Sequence, residues 1–533
     1  MILGSLDTFL EGARADLRLG RLSANAGMLQ ALLEYGTFEE LRLYCPTVAE
    51  RARLEALLDG WLPEPLRKRL TLGLHVELPQ VLARGEIGHW HSAGWSRYLP
   101  GLAQLRARYA PRAVAMTGIV HSLNGPEMVE RMRGFASSPF LPCDALLCSS
   151  TAGLEVVRRQ LAFSGGFEGR LENVPLGIGE EFFHLPPKTE AREAIGVGNE
   201  FVFLWFGRIS ASTKADLAPL LYAFHQVRRQ VPEVRLLLAG GCEEGSRAAF
   251  QAVIDELGLS DRVHLLKDPT DGDRAALYAA ADAFVSPVDN HQETFGLSVV
   301  EAMAAGLPCV VSDWDGYKDL VEDGVSGFRI PTWWNRPSER VLALREVLEP
   351  DLAQLSLSQG VAVDMGILVT RMVELATSPR MAQELGAAAR GRARANFHWE
   401  VVVRRMEAVW KDLAQVAAAS SLPGTKVAAM DPWEVFAGYA TDSVKSGQML
   451  AVGALGRSIV SGSLPMPATW SDLAPLASGA LMDALVLGLE RSGPQTLESL
   501  RRGVASSLAH PADEVDEMVL WLLKYGILER VGS

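Results

Sequence analysis

Short apolar runs recur along the chain, and most are followed by a polar loop and then by apolar residues at helical spacing. In the first 180 residues the runs at 40–45, 69–77, 87–91, 113–121 and 145–149 predict strands. Helices are predicted over 22–35, with Ser23 or Asn25 as N-cap, and over 151–161. The rhythm repeats after residue 200. Runs at 201–206 (FVFLWF), 234–240 (VRLLLAG), 263–266, 283–288 and 309–312 predict further strands, with helices over about 216–229, 273–281 and 296–305. These runs are apolar at successive positions rather than alternate ones. That pattern suits parallel strands covered on both faces by helices. The expectation is an α/β protein with two doubly wound, Rossmann-like domains.

Beyond residue 330 the pattern changes. Residues 332–359, which include Trp333-Trp334 and a leucine-rich helix, read as an insertion, with packing as its first role and cleft cover or acceptor binding as others. Helices are predicted over 363–377, 381–397 and 399–414. The stretch 417–424 (AAASSLPG) reads as a linker. Residues 431–533 then predict a mainly helical, winged-helix-like module that ends in a short strand. The domains expected are therefore 1–180, 181–398, a helix 399–415 crossing back to the first domain, and 431–533.

Composition narrows the function classes. The 533 residues are 48% hydrophobic and carry a net charge of −13, so a general nucleic-acid binder is disfavoured. The C-terminal module holds twelve acidic and seven basic residues, the wrong balance for reading phosphates. Docking of a protein or peptide, or dimerisation, is the expected role for 431–533. The five cysteines, Cys45, Cys143, Cys148, Cys242 and Cys309, show no metal-ligand spacing and suit a reducing cytoplasm. The N-terminus is acidic early and reads poorly as a signal peptide, and no apolar stretch approaches a membrane span. No metal and no cofactor is expected.

The chemistry concentrates in 283–312, AFVSPVDNHQETFGLSVVEAMAAGLPCVVS: strand, loop, helix, strand. Glu293 and Glu301 stand eight positions apart, with seven residues between them. On one helix that step is roughly 800° and about 12 Å, nearly one face and the reach of a nucleoside diphosphate sugar. Between them the helix N-terminus offers free N–H groups and a positive dipole end to a diphosphate. Arg208 and Lys214 occupy the loop after the 201–206 strand, where two cations can neutralise a diphosphate leaving group. His121 ends a strand, a position from which side chains reach ligands in parallel sheets; His91, on the same strand face as His89, is the second choice.

Taken together and in order, Ser286-Pro287, Glu293-Thr294-Phe295-Gly296-Leu297, Glu301-Ala-Met-Ala-Ala-Gly306-Leu-Pro308 and Val311-Ser312 resemble the donor-site signature of GT-B glycosyltransferases of the retaining family 4. The resemblance covers about 20–415 and is strongest over 201–330. It implies transfer of a sugar from a nucleotide diphosphate sugar to an acceptor with retention at the anomeric carbon. It also implies roles. His121 and Glu293 would contact the sugar, Arg208 and Lys214 the diphosphate, and Glu301 the ribose. Gly27, Gly207, Thr294, Phe295, Gly296 and Leu297 would line the substrate. The sequence departs from the family at Ser23-Ala-Asn-Ala-Gly27, where one glycine remains of a glycine-rich loop, at Ala215 after the lysine, and at Asp315, where the first of two glycines is usual. Other readings stay open: an inactive scaffold working through 431–533, a sugar-phosphate synthase or phosphorylase on the same fold, or a nucleic-acid modifier. Sugar, base and acceptor are not legible.

Overall fold

The computed structural model describes residues 1–10, 20–125, 128–242, 244–422, 431–468, 470–476, 478–508 and 510–532. It divides into two compact units. The larger comprises 1–44, 54–72 and 82–424; the smaller comprises 425–533 together with 45–53 and 73–81.

The larger unit contains two sheets. The first is built from β1 (Ile2–Ser5), β2 (Glu40–Cys45), β3 (Leu70–Leu74), β4 (His89–Ser92), β5 (Met116–Val120), β6 (Ala145–Cys148) and β7 (Arg170–Asn173). Its order is β3-β2-β1-β4-β5-β6-β7, and neighbours from β2 to β7 run parallel. The second is built from β8 (Phe201–Phe206), β9 (Val234–Gly240), β10 (Val263–Lys267), β11 (Ala283–Ser286), β12 (Cys309–Ser312) and β13 (Gly327–Ile330). Its order is β10-β9-β8-β11-β12-β13, parallel throughout. Each sheet thus starts in its middle and winds outward in both directions, the doubly wound arrangement. The apolar runs are buried accordingly: β11 and β12 show no exposed residue, and Val202 to Trp205 of β8 are buried.

β1 was not anticipated as a strand. Its sequence, ILGS, breaks off after two large apolar side chains, so no apolar run marks it, yet the first sheet winds outward from it. The helix read over 22–35 begins earlier, at Gly20. The final helix of this unit, Trp399–Ala419, packs on the first sheet. Leu413 and Ala417 join Ala113, Ala115, Cys143 and Ala145 in one cluster, and Trp410 stacks on His89 with ring centroids 5.1 Å apart.

The stretch read as an insertion forms a two-stranded antiparallel hairpin, β14 (Thr332–Trp334) with β15 (Val361–Val363). Helices Glu339–Leu344 and Pro350–Ser358 lie between its strands in sequence.

In the smaller unit, helices Gly479–Ser492, Leu497–Leu508 and Ala512–Lys524 share a core of Leu481, Leu485, Leu500, Val515, Val519 and Leu522. The core is closed by a three-stranded sheet in the order β17 (Gln495–Thr496), β16 (Met449–Val452), β18 (Leu528–Val531), antiparallel throughout. β16 was not read from the sequence. Among the described residues no helix is long and apolar enough to cross a membrane.

Candidate active site

In the second sheet the strand order reverses between β8 and β11. Crossovers leave these adjacent strands toward opposite sides, so their carboxyl-end loops part and open a crevice. Arg208 and Lys214 lie in the loop after β8, and Glu293 lies in the loop after β11. The fold therefore brings to one place residues 79 positions apart in sequence.

The β8 loop is tightly braced. Ile209 N–H donates to the Gly241 carbonyl (2.8 Å), Lys214 N–H to the Ser210 carbonyl (3.0 Å), and the Thr213 hydroxyl to Ser210 Oγ (2.9 Å). A Cβ on Gly207 would stand 3.0 Å from Lys214 Cε, so any larger residue would press on the lysine stem. Lys214 Nζ donates to Glu293 Oε2, and the two side chains keep only 15% and 14% of their exposure. Glu293 Oε1 also accepts from the Phe295 amide at 3.2 Å. Burial by itself pulls the lysine pKa down, but the facing Glu293 charge outweighs it and holds the ammonium above its ordinary value. Burial pushes Glu293 up, but Lys214 outweighs that and leaves it below the usual carboxylate range. Both groups are therefore charged at neutral pH. Arg208 joins them from the side. Its Nη2 donates to the Thr213 carbonyl (3.2 Å) and, with the Gln292 amide oriented to satisfy its neighbours, to the Gln292 side-chain oxygen (2.8 Å).

The eight-residue step from Glu293 to Glu301 does not lie on one helix. The helix spans Leu297–Ala304, and Gly296 ahead of it has a left-handed backbone, φ 109°. The helical phase is broken there, so Glu293 and Glu301 do not share a helix face as their spacing predicts, and each carboxylate has its own partner. A Cβ at Gly296 would also fall 2.4 Å from the Tyr317 ring, whose hydroxyl meets Ser286 Oγ at 3.0 Å. Asp315 sits at φ 53°, the left-handed region in which Asp is among the better tolerated residues after Gly. Burial, reinforced by the Glu293 charge, pushes its carboxyl well above the usual range.

Glu301 is 1% exposed. It is ion-paired with Arg274 and accepts from the Tyr278 hydroxyl at 2.8 Å. The Arg274 guanidinium lies 5.0 Å from the Phe182 ring centroid and 5.2 Å from that of Phe206. Arg274 and Tyr278 were missed in the sequence. Their spacing of four on the helix Asp271–Ala280 puts them on one face, but nothing in that spacing names Glu301 as their target.

The remaining sequence-designated residues separate. The Thr294 carbonyl accepts from Ser150 Oγ (2.7 Å) at the end of β6, where the two lobes meet. Phe295 is buried against Phe397, centroids 6.0 Å apart, and Leu297 is half-buried at the helix start. His121 follows β5, and its Nε2 donates to the Ala93 carbonyl at 2.6 Å, which sets the tautomer. His91 is buried beneath Trp410 and shares Thr117 Oγ1 with His89. Burial lowers its pKa to about 3, so it stays neutral within the core. Gly27 falls inside the helix Gly20–Tyr35 rather than in a loop before it, so its amide lies among groups that bond along the helix; its Cα side abuts the Trp399 indole. Among the described residues no group of three or more His, Cys, Asp or Glu could hold a metal.

Residues 187–354 match the family model described as Glycosyl transferases group 1. The D-inositol 3-phosphate glycosyltransferase of Segniliparus rotundus is 32% identical over 186 residues, 34% of this chain and 40% of that relative. The enzyme of that name from Mycobacterium sp. (strain KMS) is 36% identical over 162 residues, 30% of this chain and 35% of its own. The chain thus spans well under half the length of these curated relatives. Among solved structures, a sucrose-phosphate synthase from Thermosynechococcus elongatus superposes with a TM-score of 0.53 at 20% identity, covering 79% of this chain and 99% of that one. Anabaena HepE in complex with UDP gives 0.51 at 18% identity, covering 77% and 100%. The two doubly wound lobes with a helical C-terminal region are a GT-B fold.

Proposed function

We propose that the chain is a retaining glycosyltransferase that moves a hexosyl unit from a nucleoside diphosphate sugar to an acceptor. The observation that carries this reading is the buried Lys214–Glu293 pair, flanked by Arg208, at the switch point of the second sheet. A fixed ammonium and guanidinium there suit the charge that grows on a departing diphosphate, and they need no reorganisation as it forms. Glu293, held by Lys214, would accept hydrogen bonds from sugar hydroxyls. Glu301 would serve the ribose after Arg274 swings aside, and His121 would meet the sugar from the first lobe. Amides of Thr294 to Leu297 would line the donor. Closure of the lobes would exclude water, which otherwise competes as acceptor. Attack on the face the diphosphate leaves would retain the anomeric configuration. The UDP held by the Anabaena neighbour makes a uridine nucleotide the first donor to try.

The test is a panel of nucleotide sugars, read by mass spectrometry for released nucleoside diphosphate and by thermal shift. Slow donor hydrolysis, lost in Glu293→Ala with the fold intact, is expected. Full hydrolysis in that variant would remove the site assignment. One observation favours a second reading, an inactive scaffold working through residues 431–533: Glu301 is already engaged with Arg274 and Tyr278. Failure of every nucleotide to shift the melting temperature would select it.

A further inference from the structure

The hairpin β14–β15 and its helices reach both halves of the donor crevice. Gln359 Nε2 donates to Asp216, two residues after Lys214, at 3.3 Å. Gln354 Nε2 donates to the carbonyl of Asn124, three residues after His121 in the first lobe. Thr332 Oγ1 ties the start of the hairpin to the Asp313 carbonyl at 2.9 Å.

On this hairpin Trp334 keeps 45% of its exposure. Its ring meets two others edge-on: His291 at 4.7 Å and Trp314 at 6.0 Å, which are themselves 5.4 Å apart. His291 is two residues before Glu293, and Trp314 directly precedes Asp315. The cluster therefore adjoins the diphosphate loop in sequence and in space. Trp314 is satisfied, its Nε1 donating to the Asn290 carbonyl at 3.1 Å. His291 is not. Both its ring nitrogens are buried and meet no hydrogen-bond partner among the described residues, and the same holds for Arg345 Nε, whose charge bears on the imidazole. A buried polar group left without a partner costs about 1–3 kcal/mol. A cluster that leaves three such atoms beside a half-open indole is poorly explained by packing alone.

We propose that Trp334, with His291 and Trp314 against it, forms the acceptor subsite, and that the acceptor is a carbohydrate. The inference rests on the glycosyltransferase reading. A sugar ring offers a C–H face to stack on the indole and hydroxyls that both donate and accept. A neutral imidazole needs one partner of each kind. Burial lowers the His291 pKa to about 4, so the ring is neutral at physiological pH. A purely apolar partner would cover Trp334 and leave His291 unmet. The hairpin pairs only three residues per strand, so few ladder hydrogen bonds hold Trp334 against His291.

The experiment uses the full chain and glucose, galactose, N-acetylglucosamine, maltose and myo-inositol as probes, followed by saturation-transfer NMR. UDP-induced thermal shift is measured in parallel. Wild type is expected to bind at least one probe. Trp334→Ala and His291→Leu are expected to weaken that probe at least tenfold, Trp334→Phe to restore it within about threefold, and all three to keep the UDP shift. Binding unchanged in Trp334→Ala overturns the subsite, as does a wild type that binds UDP but none of the probes. Loss of UDP binding in wild type, with probe binding intact and dependent on Trp334, would instead strike the donor reading alone.

Discussion

Replacing Lys214 by Met removes the ammonium but keeps most of the stem, leaving Glu293 buried without its counter-ion. Deleting one partner of a buried ion pair costs about 3–5 kcal/mol. The pair retains 14–15% exposure, so the low end, about 3 kcal/mol, is expected at pH 7.5. The pH dependence carries the sharper test. In the wild type Glu293 titrates below its ordinary range, so the pair's contribution is present above about pH 4.3 and is lost as pH falls through the lowered folded value. In Lys214→Met the lysine's charge and hydrogen bond are gone; the Phe295 and Thr294 amides still pull Glu293 down, but burial, the larger effect, raises it. The penalty is then absent in acid and grows as pH rises above the ordinary carboxylate value. The stability gap between the two proteins should therefore widen from pH 5 to pH 8. Adding Glu293→Gln should recover most of it at pH 8. The assay is denaturant unfolding of the larger unit at both pH values, with donor hydrolysis followed alongside; hydrolysis should fall about 10²–10³-fold on loss of one charge-stabilising donor. A gap equal at pH 5 and pH 8, or a double variant no more stable than the single one, would show that the unpaired Glu293 charge is not the source of the loss.

Other outcomes are expected from separate features. Asp289 is buried and its carboxyl is pushed up to about 7, so its ionisation costs stability as pH rises from about 4 to 7. Asp289→Asn should add up to about 4 kcal/mol at pH 8 and almost nothing at pH 4, read by thermal unfolding. Arg106 and Asp144 are each 1% exposed and bond at 2.6 and 2.8 Å, so Arg106→Met should cost about 3–5 kcal/mol; a loss below 1 would show that the carboxylate finds another partner. Gly296→Ala must adopt φ 109° against the Tyr317 ring, and should cost about 1–3 kcal/mol while reducing nucleotide-dependent thermal shift. Leu485→Ala, in the smaller unit's core, should cost about 2–5 kcal/mol, with hydrogen exchange rising over 449–531 and unchanged in β8 to β13.

The second sheet was legible because its strands are apolar on both faces: FVFLWF and VRLLLAG can be little else when short runs alternate with helical spacing. Arg208, Lys214 and Glu293 were legible as loop residues at strand ends, and the parallel order then decided that two of these loops share one crevice. β1 was not legible, because ILGS breaks off after two large apolar residues; only the pairing with β2 and β4 on either side makes it a strand. Spacing could not reveal that Gly296 breaks the helix between Glu293 and Glu301, since its left-handed backbone, beside a Tyr317 ring that leaves no room for a Cβ, is a feature of the folded turn. Gly27 lies within the helix predicted over 22–35; the resemblance implies a loop there, and the helix Gly20–Tyr35 keeps it inside. The partners of Glu301 and the rings around His291 come from elements far apart along the chain. Local pattern decides which segments become strands and helices; which side chains meet is decided by sheet order and close packing, and neither is a property of any one segment.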